Sequence, residues 1–197
     1  MPSGRTHDRI TLWGLPGVAG MTFAQTDSSN LTLLLSGAFL FSGLMFGPDL
    51  DIYSVQYKRW GCLRWLWIPY QKIRHRSLLS HGMIIGTTLR LLYLTTWLGL
   101  LGVLILGIAQ LVWGVGWNWQ LVVEVIKESV TQNKAEWIAL FLGLELGALS
   151  HSLSDWGASV YKNHKKQAAR GKLPNGRMNK LTKSTRRRQA VKNRQKH

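Results

Sequence analysis

The sequence predicts an all-α fold: an integral membrane bundle of about four helices over residues 1–160, followed by a polybasic tail, residues 161–197, expected to be disordered. Three observations predict it. Four apolar stretches of helical length lie in the first part, and Met83–Trp113 is interrupted only by Arg90. That run exceeds the roughly twenty apolar residues that cross a bilayer core about 30 Å thick. The chain carries 25 Lys+Arg against 9 Asp+Glu, and one topology gathers the basic segments on a single side. Fourteen of those basic residues fall in 161–197, which contains no acid. Such a composition buries too little apolar surface to offset the entropy of ordering.

Each stretch has its own signature. The first, Ile10–Ala24, is modestly apolar and contains Gly14, Pro16, Gly17 and Gly20. The second, Leu31–Phe46, is uncharged. The third is the long run. The fourth starts near Trp137, passes Ala148 toward Tyr161, and carries Glu145, His151 and Asp155. Arg5 and Arg9 precede the first stretch; Lys58, Arg59, Arg64, Lys72, Arg74 and Arg76 lie between the second and third. With four spans, these segments and the tail share one side, which the positive-inside rule makes the cytoplasm. The expectation is therefore a multi-pass membrane protein with both termini cytoplasmic. Trp60–Trp67 and Trp113–Trp119 are placed either as interface anchors or as core packing. Arg90 and Glu145, the charges deepest in the third and fourth stretches, are expected to pair or, for Arg90, to snorkel. The single cysteine, Cys62, excludes an internal disulfide and a cysteine-rich zinc site. Arg5, His7, Asp8 and Arg9 ahead of a modest apolar run argue against a cleaved signal peptide.

The chemistry-bearing residues collect at the cytoplasmic ends of these stretches. His7 and Asp8 precede the first; Asp49 and Asp51, in GPDLD, follow the second; His75 and His81, in RHRSLLSHG, precede the third; His151 and Asp155, in LSHSLSDW, lie in the fourth. His151 and Asp155 are four apart and share a helix face. Pro48 ends a helix, and Asp49 and Asp51 point the same way if the segment is extended. Taken singly, each has an ordinary reading: a locally satisfied histidine, an acidic turn, a basic loop. Together they form four segments bringing ligands to one end of a bundle, as helical proteins build metal sites. The predicted ligand set is His7, Asp49, Asp51, His75, His81, His151 and Asp155. Mixed imidazole and carboxylate donors suit a divalent metal, with zinc the first choice and manganese or iron as alternatives.

The order His7, Pro48-Asp49-Leu50-Asp51, His75-Arg76 to His81, then Ser150-His151 to Asp155 resembles the membrane-bound metal-dependent hydrolases of the YdjM type. The segments MPSGRTHDRIT, FSGLMFGPDLD and RHRSLLSHG more closely resemble an uncharacterised bacterial family of integral-membrane metal-binding proteins, well represented in cyanobacteria. The resemblance covers residues 1–160. It implies a helical membrane protein with a His/Asp metal site. Where the YdjM-type pattern often has a histidine after its second aspartate, this chain has Ile52.

The activity expected is metal-assisted hydrolysis of a phosphoester or similar bond at the cytoplasmic membrane surface. Asp51 is assigned as bridging ligand or general base, and Arg76 as holder of an anionic or lipid-linked substrate. A non-catalytic metal site tying helix ends together uses the same ligands. In a third reading the tail binds an anionic partner, with membrane lipids ahead of nucleic acid, because STRRRQAVKNRQKH offers no aromatic for base stacking.

Overall fold

The computed structural model describes residues 4–72, 82–114, 116 and 118–171. Every element among them is helical. The long helices are α1 (Gly4–Thr26) and α2 (Ser29–Leu44), then, after a short α3 (Val55–Arg59), α4 (Ile85–Trp113), α5 (Trp119–Gln132) and α6 (Lys134–Gly171). Between α2 and α4 the chain also makes 3-10 turns at Pro48–Asp51, Gly61–Trp67 and Tyr70–Lys72. Three of these segments are long and apolar enough to cross a membrane: Ser29–Asp51, Ile85–Trp113 and Lys134–Ala168. The first predicted stretch does form a helix, α1, but is not among the three. Four charged or titratable side chains in its opening turns, Arg5, His7, Asp8 and Arg9, dilute its hydropathy. Between the third and fourth stretches lies a helix that the four predicted stretches do not include, α5. Its apolar positions Trp119, Val122, Val123, Ile126 and Val130 recur at helical spacing.

α1 and α2 form an antiparallel hairpin. Asp27, at φ 48°, reverses the chain, and the Ser28 hydroxyl accepts from Leu31 N at 3.4 Å to cap α2. The hairpin seals where Gly43 meets Thr11: a Cβ on Gly43 would lie 2.5 Å from the Thr11 side chain. α6 packs on α2 through Gly143 and Gly147, spaced by four. A Cβ on Gly147 would lie 2.6 Å from the Phe39 carbonyl oxygen, and one on Gly143 would strike the Leu35 carbonyl. Small residues four apart let two helix backbones approach closely. Ser42 bridges the same seam by donating to Leu144 O at 2.6 Å.

The connector between α2 and α4 is held by an aromatic core. Phe46 meets Trp67 edge-on at 5.7 Å, Trp60 meets Trp67 at 5.1 Å, and Trp67 meets Tyr70 at 5.6 Å. Trp67 is fully buried, so in this stretch its large ring packs the interior, while Trp65 is exposed. Tyr93 of α4 donates to Leu66 O and so pins α4 to the connector. Beyond its first turns α4 is bare: Leu98, Leu101, Leu104, Ile105 and Leu111 are all exposed.

The described chain divides into two compact units. One, residues 2–155, contains the packing above. Residues 156–171, in the other, continue α6 to Gly171, so the helix includes 161–171 of the expected basic tail.

Candidate metal centre

Three elements of the 2–155 unit deliver ionisable side chains to one buried place. α1 brings His7 in its first turn, the Pro48–Asp51 turn brings Asp49, and α6 brings His151 and Asp155 one turn apart. All four are nearly excluded from solvent, His151 at 3% exposure and Asp155 at 8%. His7 Nε2 lies 3.5 Å from Asp155 Oδ1, and His151 Nε2 lies 3.2 Å from Asp49 Oδ2. The two imidazoles stack, with centroids 3.9 Å apart and an interplanar angle of 17°. One donor atom from each of His7, His151 and Asp155 lies within 4.8 Å of the others, a set that could hold a metal ion.

The hydrogen bonds around this set orient its nitrogens. Ser154 Oγ donates to His151 O at 2.8 Å, which uses its only proton. His7 Nδ1, 2.5 Å from that same Oγ, is therefore the donor to it. The His7 tautomer leaves Nε2 with its lone pair turned toward Asp155. Gln56 Nε2 donates to Gly43 O at 2.9 Å and stands 3.5 Å from His151 Nδ1, holding that edge of the ring. Gly47 is required beside it, because a Cβ there would collide with the Gln56 amide. His151 Nε2 is buried and faces Asp49 Oδ2 at 3.2 Å without forming a hydrogen bond among the described residues. Burial, followed by the charge of His151, lowers the His7 pKa below its ordinary 6.5, while Asp155 and Asp49 act in the opposite direction. The neutral imidazole is the ligating form, so this shift favours metal at neutral pH.

The donor chemistry fits a divalent transition metal: two imidazole nitrogens and a carboxylate are a common borderline set. In zinc sites donors lie about 2.0–2.2 Å from the ion and hence roughly 3.3 Å from one another. The 4.8 Å bound is wider than that.

The other predicted residues divide. Asp49 lies against His151, outside the three-residue set. Asp51 is buried in the same turn, outside the three-residue set, and its charge, like that of Glu145, acts on Arg90. Asp8 is engaged by Arg59, which donates Nη1 to Oδ1 at 2.9 Å and Nη2 to Oδ2 at 2.6 Å. His75, Arg76 and His81 lie outside the described residues. Arg90 and Glu145 line one small cavity with Pro48 and Ser152. Glu145 Oε1 accepts from Ile84 N at 2.9 Å, while Arg90 Nη2 donates to Thr87 Oγ1 at 3.0 Å. Gln56 and Ser154 were not singled out by the sequence. Ser154 could have been found as the residue three after His151 and one before Asp155; nothing local marks Gln56.

An all-helical chain with a buried His/Asp cluster belongs to the class of helical metal-binding proteins by site chemistry. The comparison of sequences agrees: residues 2–165 match the family described as "Uncharacterized metal-binding protein (DUF2227)", and the chain belongs to that family. No curated protein matches the chain. No solved structure matches it either.

Proposed function

We propose that this protein is a membrane-embedded, metal-dependent hydrolase acting on a phosphoester or similar bond. His7, His151 and Asp155 are its ligands, and Asp49 is a carboxylate standing beside them. The observation that carries the reading is the buried His7/His151/Asp155 set, three donors from two helices with no bulk water around them. Three protein donors leave room in a four-coordinate shell, the pattern of catalytic sites, whereas structural sites are closed. A divalent cation bound there supplies Lewis-acid chemistry toward water and an ester group.

The chain's own residues do the rest. Ser154 keeps His7 Nε2 directed at the centre, and Gln56 steadies the far edge of His151. Asp49 Oδ2 lies 3.2 Å from His151 Nε2, so its negative charge would stand beside a cation held by that nitrogen. Burial of the cluster keeps competing water out and strengthens each electrostatic contact.

Membrane residence is part of the same proposal. α4 has 29 residues, about 43 Å of helix, and beyond its first turns its large apolar side chains are mostly exposed. Water is a poor solvent for such a surface and lipid a good one. Arg5, Arg9, Lys58, Arg59, Arg64 and Lys72 lie in α1's first turns and in the connector that carries Asp49, so the metal end faces the cytoplasm.

The test is metal content of the purified full-length protein by mass spectrometry, beside turnover of 4-nitrophenyl phosphate. Wild type is expected to hold metal and to hydrolyse the ester, and His151→Ala and Asp155→Ala to lose both. Equal metal in all three proteins would sink the site assignment. Metal without turnover would leave the site and remove the hydrolase.

A further inference from the structure

Between Gly37 and Phe41 of α2, Leu91 and Leu94 of α4, and Leu140 and Leu144 of α6 lies an apolar groove of about 400 Å³. That volume is in the range of small-molecule sites. Its walls are aliphatic and aromatic side chains. We propose that it holds the hydrocarbon chain of a single-chain phosphate amphiphile whose head group reaches the metal centre, which makes the substrate of the proposed hydrolase a lipid phosphoester. This rests on the metal-hydrolase reading above.

Three relationships select that occupant. The first is alignment. Leu140, Leu144, Ala148, His151 and Asp155 follow one another at spacings of four, four, three and four, so one stripe of α6 runs from groove to metal donors. Leu144 precedes His151 by seven residues, about 10 Å along the helix. The second is polarity. Phe46 is one of the groove's walls, the Arg90 guanidinium lies 5.8 Å from its ring, and Asp49 follows three residues later in the chain. A divalent cation on His7, His151 and Asp155 would supply the positive charge for an anionic head, while the groove offers apolar walls to a hydrocarbon tail. The third is depth. The walls come from α2, α4 and α6, which supply the three segments able to cross a membrane. The groove therefore opens to hydrocarbon, from which such a chain would enter.

Gly37 allows the groove to be filled without disturbing the fold, since a Cβ there meets nothing within 4 Å. Gly37→Leu is expected to retain wild-type metal content. The probes are dodecyl phosphate and methyl phosphate, titrated calorimetrically into the full-length, metal-loaded protein in one detergent. Wild type is expected to bind dodecyl phosphate at least about tenfold more tightly than Gly37→Leu does, the scale of one leucine-sized burial. Methyl phosphate binding should be the same for both proteins, and His151→Ala, lacking metal, should lose the preference for the phosphate head. Dodecyl phosphate binding that is unchanged in Gly37→Leu, or that ignores the metal, overturns the proposal; the latter outcome makes the groove a seat for bulk lipid. A dimeric wild type that Gly37→Leu turns into a monomer by light scattering also overturns it, in favour of a second copy as occupant. Absence of metal from wild type brings down the hydrolase reading and this inference together. Metal and methyl phosphate binding without chain dependence brings down only this one.

Discussion

The imidazole rings of His7 and His151 lie face to face, 3.9 Å between centroids, although 144 positions separate them in sequence. Two stacked cations in a buried site repel strongly, so the pair is compatible with one proton at most. Burial and His151 both depress the His7 pKa. A depressed histidine pKa means that the unfolded chain protonates first as pH falls, so stability is present above about 6.5 and declines below it. The metal-free protein is expected to melt at lower temperature at pH 5.5 than at pH 7.5, and His7→Gln to reduce that difference. A pH-independent melting temperature in wild type would contradict the stacked, neutral arrangement.

Ser154 and Gln56 fix the ring nitrogens on the sides away from the donors. Groups in that position typically change metal affinity by about 10–100-fold when removed. Ser154→Ala and Gln56→Leu should each weaken metal binding on that scale, measured by competition with a chromogenic chelator. Ser154→Thr keeps the hydroxyl and should recover most of the affinity. If Ser154→Thr and Ser154→Ala behave alike, the hydroxyl has no part in orienting His7.

The helical class and the meeting of His7, Asp49, His151 and Asp155 were legible because apolar runs and their polar ends are local patterns. The α1–α2 reversal and the Pro48 turn then follow from chain punctuation. Other features depend on the far side of a contact. That Asp49 reaches His151 while Asp51, two residues on, stays outside the three-residue set depends on the twist of one 3-10 turn. Gln56 is conspicuous only once Gly43 and His151 flank it. The α5 helix was missed because Glu124, Lys127 and Glu128 made its segment read as a polar connection, while its apolar residues sit on the alternate face.

Asp8 shares the sequence neighbourhood of His7 but belongs to Arg59. That pair is bidentate and well formed, yet both side chains are partly exposed, at 31% for Arg59 and 23% for Asp8. Exposed pairs contribute roughly 0–1 kcal/mol. Asp8→Asn is expected to leave metal stoichiometry unchanged and to shift the melting temperature by no more than about 4 °C. Loss of metal in Asp8→Asn would place this carboxylate among the donors.

The Gly143/Gly147 seam sets the height of His151 over Asp49. Gly147→Ala would put a methyl 2.6 Å from both the Phe39 carbonyl oxygen and the Ser42 Cβ, and backbone must move to admit it. Overpacking of this kind costs about 1–3 kcal/mol. Gly99→Ala, in α4 with nothing within 4 Å, is the control: it should be neutral or stabilise by up to about 1 kcal/mol through helix propensity. Thermal melts of the two variants beside wild type test this. Equal melting temperatures would mean that α2 and α6 do not meet at these glycines.

Arg90 and Glu145 provide the most demanding test of the interior. Arg90 is 1% exposed and Glu145 8%, on helices whose neighbouring surface is hydrocarbon-like. Both line the same small cavity, and Glu145 also accepts the amide of Ile84, a β-branched residue held at φ 63°. Removing one member of a buried charged group leaves the rest undercompensated, at a cost of about 3–5 kcal/mol. Replacing both with apolar residues of similar volume is far better tolerated. Arg90→Met and Glu145→Met should therefore each lower the melting temperature more than the double variant does relative to their sum. Glu145→Met additionally loses the restraint on Ile84, so it should be the more damaging single change near the start of α4, visible as faster amide exchange at Gly86 and Thr87. Strict additivity of the two single effects would mean that the two charges do not interact.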